Sequence, residues 1–131
     1  MDHEPVVVRE SAREWETWPE EEVQKRGRIY WKTLVSGDLT PSGALTMGIA
    51  KVPPGEALRE HRHRQTEIYL VLEGTASITI DGESRPVSAG SAVFIPGNAV
   101  HSCENTGSSD LRVTYVFAAD SFEEVEYVFD E

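Results

Sequence analysis

Short apolar stretches alternate with turn residues along most of this chain, and that rhythm predicts strands. Arg28 to Val35 alternates and stops at Ser36-Gly37-Asp38. Leu45 to Val52 forms a second strand, closed by Pro53-Pro54-Gly55, and Glu67 to Leu72 a third, closed by Glu73-Gly74. Thr75 to Ile80 and Glu83 to Val87 flank Asp81-Gly82, a strong two-residue hairpin signal. Ser91 to Ile95, Ala99 to Glu104 and Leu111 to Phe117 complete the series. Strands at such spacing, with no helical pattern between them, exclude a βαβ sheet and predict an all-β domain with antiparallel pairing. Residues 9–26 are charged, with Trp15 and Trp18 as anchors, and predict a short helix or irregular arm. The expected division is an N-terminal arm over 1–27 and a barrel over 28–131, ending in a C-terminal segment with weak helical hints.

Side chains two apart on a strand share a face. Glu67, Tyr69 and Val71 therefore point one way, and Ile68, Leu70 and Leu72 the other. His61 and His63 share a side if their stretch is extended, as do His101 and Cys103 further on. A closed or nearly closed barrel can bring these inward sides around one cavity.

Size and charge narrow the picture. A chain of 131 residues suits one domain with its own core. A formal net charge of −11 repels phosphate backbones and anionic lipid, so nucleic acid and membrane are poor partners. Glu20-Glu21-Glu22 and the acidic run from Glu123 through Glu131 are expected to be solvated surface. No apolar run reaches the length of a membrane span, and the N-terminus lacks the pattern of a signal peptide. The single cysteine, Cys103, cannot form an intramolecular disulfide, and a cytoplasmic location is expected. It is expected to be a buried inert thiol, and His3 a surface residue.

The chemistry lies in three of the four histidines. His61, His63 and Glu67 cluster, and His101 follows Pro96-Gly97-Asn98 downstream. Imidazoles with one carboxylate suit a first-row divalent ion such as Fe, Mn, Ni, Co or Zn. The spacing is specific: Gly55, five residues, His61-x-His63, three residues, Glu67, six residues, Gly74. A second motif runs from Gly90 through Pro96 and His101 to Asn105. With motifs over 55–74 and 90–105, the chain resembles the cupins. Asn98 stands where that family usually has glycine, a mild departure because Asn tolerates left-handed backbone geometry. The resemblance implies a double-stranded β-helix, the jelly-roll barrel, with one metal ion held by His61, His63, Glu67 and His101.

A narrower resemblance follows from His-x-His-x-x-x-Glu-x-Tyr, completed by Tyr69, together with Tyr30-Trp31-Lys32, Gly97-Asn98-Ala99 and the ending Phe122 to Tyr127. These segments are similar to the small cupin lyases that cleave dimethylsulfoniopropionate to acrylate and dimethyl sulfide. What that implies is β-elimination from a small carboxylate, with the metal acting as Lewis acid. Tyr69 is then a candidate base, or else a wall tyrosine, and Tyr127 a second acid/base group if the C-terminal segment folds over the barrel mouth. Aromatic faces attract a cationic sulfonium, so Trp31, Tyr30, Tyr115 and Phe94 are candidate substrate contacts, with Met47 and Ile49 on the opposite wall. Only one of Tyr30 and Trp31 can face inward. Two other functions compete: an Fe-dependent dioxygenase, and a metal-binding or ligand-sensing cupin without catalysis. The cupin resemblance also implies a homodimer, for which Val6-Val7-Val8 predicts a short strand able to pair with a partner's edge or with its own barrel.

Overall fold

The computed structural model describes residues 3–129. The last acidic residues, through Glu131, and the first two residues of the chain lie outside that range. Eleven strands and one short helix follow in order: β1 (Glu16–Thr17), α1 (Glu20–Arg26), β2 (Tyr30–Val35), β3 (Thr46–Val52), β4 (Ala57–Arg62), β5 (Glu67–Glu73), β6 (Thr75–Ile80), β7 (Glu83–Ser88), β8 (Ala92–Ile95), β9 (His101–Asn105), β10 (Leu111–Phe117) and β11 (Val128–Phe129). They form two antiparallel sheets, β1-β2-β3-β10-β5-β8 and β11-β4-β9-β6-β7. Inward side chains of both sheets, among them Val71, Val113 and Phe117 from the first and Leu58, Ala76 and Ile78 from the second, make one continuous core. This is the expected jelly-roll barrel.

Local rules account for the strands. On β5, Glu67, Tyr69 and Val71 are buried while Ile68, Leu70 and Leu72 face out. Asp81 and Gly82 both take positive φ, 48° and 86°, the geometry that matches strand twist in a two-residue hairpin. Asn98 has φ 65°, so it adopts the left-handed backbone expected of it. Its N–H donates to the carbonyl of His63 at 2.8 Å, which ties the second motif to the first. That turn also delays β9, which begins at His101 rather than Ala99, because Ala99 N–H is still bonded to the Pro96 carbonyl.

Several expectations are corrected. Tyr30 faces outward, where the Lys51 ammonium lies 5.3 Å from its ring, and Trp31 is the inward member of that pair. Met47 and Ile49 do not line the cavity, since Ala50 and Val52 take that side of β3, although Ile49 is itself buried. Gly48 lies between them, and a side chain there would overlap the Tyr115 hydroxyl and the Lys32 carbonyl. Phe94 is 64% exposed, paired across β8 with the outward Ile68. Val6-Val7-Val8 is not a strand: no ladder partner meets it within the protomer, and Val7 is 96% exposed.

The arm is fastened to the barrel from outside. Arg13 donates to the carbonyls of Thr33 and Leu34, Glu10 meets Arg112 at 2.8 Å, and Trp15 lies under the ammonium groups of Lys32 and Lys51. β1 then pairs with β2, and α1 follows, with glutamates in its first turn and Lys25 and Arg26 in its last, the order a helix dipole favours. Gly27, at φ 98°, ends the helix and packs onto the Ala57 carbonyl so closely that no side chain fits.

Candidate metal centre

Four elements or their edges deliver the candidate ligands: β4 carries His61, the turn after it His63, β5 begins with Glu67 and β9 with His101. All four are buried, none more than 3% exposed. The three imidazoles offer ring nitrogens within 4.8 Å of one another. The two distant motifs therefore converge.

Backbone carbonyls orient the rings. His61 Nδ1 lies 2.8 Å from the Arg59 carbonyl, His63 Nδ1 3.0 Å from that of Gln65, and His101 Nδ1 2.8 Å from that of Ala99. A carbonyl only accepts, so each Nδ1 must carry the proton and each Nε2 presents a bare lone pair in the neutral ring. Those lone pairs have nothing suitable to meet. Nε2 of His61 and of His101 are buried without a hydrogen-bond partner. Nε2 of His63 and His101 lie 3.0 and 3.4 Å from Glu67 Oε1, where a lone pair faces a carboxylate unless a proton or cation lies between them. Burial, then the neighbouring His101, lowers the pKa of His61 to about 3, which keeps it neutral and able to ligate. Three fixed imidazoles beside a carboxylate, in want of a positive charge, suit a divalent transition metal, and the carbonyls behind them hold the rings in place.

The Glu67 carboxylate also borders an interior cavity with about 40 Å³ of room for water, enough for a few molecules. Trp31, Tyr69, Tyr115 and Tyr127 line it, together with Cys103 and the aliphatic side chains of Val52, Leu58 and Val113. No lysine or arginine is among the lining residues. Burial pushes the Tyr69 and Tyr127 phenols well above their ordinary pKa, and the Glu67 charge adds to this in both. Tyr115 is raised for the same first reason, and its hydroxyl lies 3.3 Å from that of Thr33. Cys103 is pushed up to about 12, mainly by burial, and is an inert thiol. Tyr127 comes from the C-terminal segment, which folds back so that its ring lies 5.2 Å from His61 and 5.5 Å from His63.

Of the substrate contacts expected from sequence, Trp31 and Tyr115 border the cavity, whereas Tyr30, Met47 and Phe94 lie on the outer surface. Two aromatic lining residues escaped the sequence reading. Trp18 of the arm reaches Trp31 at 4.6 Å, and Phe122 sits 6.3 Å from the same ring. Neither belongs to a periodic strand, so no local signal marks either as inward. Asn105, the last residue of the second motif, is structural: its amide donates to the carbonyls of Val52 and Ser109.

Comparison with known proteins agrees with the geometry. A family described as "Cupin domain" matches residues 48–117. A dimethylsulfoniopropionate lyase, DddW, of Ruegeria pomeroyi is 44% identical over 103 residues, 79% of this chain and 67% of that one. An oxalate-binding protein of Thermotoga maritima is 33% identical over 66% of this chain and 73% of its own length. The crystal structure of a predicted oxalate decarboxylase, also from Thermotoga maritima, superposes with a TM-score of 0.74 at 29% identity, covering 87% of this chain and 99% of that one. Matched by the family over residues 48–117, more than half its length and the stretch that holds both histidine motifs, this chain belongs to the cupin family.

Proposed function

We propose that the chain holds one divalent transition-metal ion through His61, His63, Glu67 and His101 and acts on a small carboxylate in the adjoining cavity. β-Elimination of dimethylsulfoniopropionate to acrylate and dimethyl sulfide is the reaction we assign to it. The observation that carries this reading is the cluster of three buried imidazoles beside Glu67, whose carboxylate also borders a cavity with no lysine or arginine in its lining. A carboxylate entering that cavity finds the Glu67 charge and no cationic side chain, so its counter-charge has to come from the ligand set. When bound there, the metal supplies that charge and polarises the carboxylate, which makes the adjacent α-hydrogen more acidic.

The chain's own residues support the rest. The phenolate of Tyr69, or of Tyr127, takes the α-proton. The C–H electron pair becomes the C=C bond of acrylate, and the β C–S bond breaks with its electrons leaving on neutral dimethyl sulfide. Aromatic faces of Trp31 and Tyr115 suit the sulfonium, each contributing about 0.5–2 kcal/mol. The relatives are consistent with the substrate class, because a dimethylsulfoniopropionate lyase and an oxalate-binding protein both meet carboxylates.

The test is headspace gas above protein loaded in turn with Fe, Mn, Ni, Co or Zn and given the sulfonium substrate. Dimethyl sulfide released with at least one of these metals is the expected result, and none with any of them overturns the lyase assignment. Carboxylate binding without gas would select a second reading, a binding protein, which the oxalate-binding relative favours.

We assign the chain a homodimeric state and a cytoplasmic location. The buried, unpaired Cys103 suits a reducing compartment, and no helix among the described residues is long and apolar enough to cross a membrane. For the dimer, Phe94, Ile68, Val116 and Met47 lie opposite one another across four hydrogen-bonded strands, on the outer face of the larger sheet. With Leu70 and Leu72 they form an apolar band that a second copy can cover by face-to-face packing. Ile68→Lys, measured by light scattering, is expected to shift the mass from two chains to one. A mass unchanged from wild type would remove this face from the interface.

A further inference from the structure

We infer that Trp18, from the N-terminal arm, is the end wall of the ligand cavity and sets the length of ligand the site accepts. This rests on the metal-centred reading above. It also means the barrel alone does not make a complete site.

Trp18 follows directly on β1, whose pairing with β2 and whose Thr17 hydroxyl, donating to the Ile29 carbonyl at 2.7 Å, fix where the arm meets the barrel. From there the indole reaches inward to the buried Trp31 at 4.6 Å and to Tyr127 at 5.8 Å. The same Tyr127 ring lies 5.2 Å from His61. A single aromatic ring thus separates Trp18 from the imidazole cluster, so a molecule anchored at the ligand set has only a few atoms' length before it meets the indole. The indole N–H groups of Trp18 and Trp31 are both buried without an acceptor, as expected where a ligand or water completes the lining.

Arg26 holds this wall in place. Its guanidinium lies 4.7 Å from the Trp18 ring and 4.8 Å from the Phe129 ring, and its Nε donates to Glu22 at 2.9 Å. Phe129 pairs with His61 across β11 and β4. The stack of Trp18, Arg26 and Phe129 therefore joins the arm to the strand that carries a candidate ligand. Arg26 acts as a positioning residue: it touches the wall and not the cavity.

The decisive experiment compares wild type, Trp18→Ala and Trp18→Phe after cobalt loading, titrated with straight-chain carboxylates from acetate to hexanoate. Visible absorption of the cobalt and thermal shift are both read. We expect metal content to be unchanged and the preference between hexanoate and propionate to move at least tenfold toward the longer acid in Trp18→Ala, with Trp18→Phe between. Arg26→Gln should move it in the same direction by less, and Arg26→Lys should restore part of the wild-type preference. A structural role for Trp18 would lower thermal stability and leave the length preference unmoved. An unchanged preference with metal bound overturns the inference. Should no cobalt bind even to wild type, the metal reading fails by itself. The length assignment, which needs an acid anchored at the ion, then falls with it.

Discussion

Replacing His101 with alanine is expected to abolish stoichiometric metal binding while leaving the barrel folded. It supplies one of three ring nitrogens that converge within 4.8 Å, and it alone of the three comes from β9. Loss of a group that hydrogen-bonds a metal ligand from behind costs about 10–100-fold in metal affinity, and loss of a ligand itself costs more. The effect on stability should run the other way in the metal-free protein. There the buried Nε2 has no partner and faces Glu67 at 3.4 Å, so removing it relieves an unfavourable contact, offset by the cavity left behind. Metal present at about 1,000 times its dissociation constant stabilises the native state by about 4 kcal/mol. For a chain of this size that is a rise in Tm on the order of 10–20 °C. Calorimetry with and without metal should show this rise in wild type and none in His101→Ala, with metal-free midpoints close together. A full metal-induced rise in the variant would remove His101 from the ligand set.

That expectation rests on residues whose grouping is legible in the sequence. On β5 a period of two placed Glu67 and Tyr69 on one side, and nothing in the fold overrides it. Asn98 was legible for a steric reason, since few residues other than glycine adopt its φ of 65° at low cost. β4 was harder: Arg59 and Glu60 are both exposed, and the ladder slips between Leu58 and His61, so the apolar alternation that marks other strands is broken there. Where both members of a pair are apolar, alternation has no direction. Tyr30 against Trp31 and Phe94 against Ile95 are such cases, decided by the packing of Lys51 on Tyr30 and by the burial of Ile95. The carbonyls of Arg59, Gln65 and Ala99 that fix the imidazoles are backbone atoms, which no residue pattern reports. Trp18 and Phe122 reach the cavity from outside the barrel strands, through contacts distant in sequence, and the arm's charged composition pointed to solvent.

Tyr69→Phe is expected to reduce turnover of the sulfonium substrate by about 100-fold or more, the range for loss of a general base, with metal content and Tm near wild type. The substitution removes one hydroxyl and keeps the ring, so the cavity wall and the edge-on contact with His101, 6.4 Å between ring centres, persist. Retention of the fold separates chemistry from packing. The pH profile adds a second criterion. Burial and the Glu67 charge both raise the Tyr69 phenol above its ordinary value, so the reactive phenolate is favoured only toward alkaline pH unless a cation offsets them. Activity should therefore climb as pH rises, and Tyr69→Phe should flatten that climb rather than scale the whole curve. Tyr127→Phe is the control for the alternative, because that phenol is raised by the same two causes and its ring lies against His61 and His63. If Tyr127→Phe flattens the climb and Tyr69→Phe leaves turnover near wild type, the base is Tyr127 and Tyr69 is a wall. If neither substitution changes the profile, proton removal does not pass through these phenols, and the elimination proposed for this cavity loses its base.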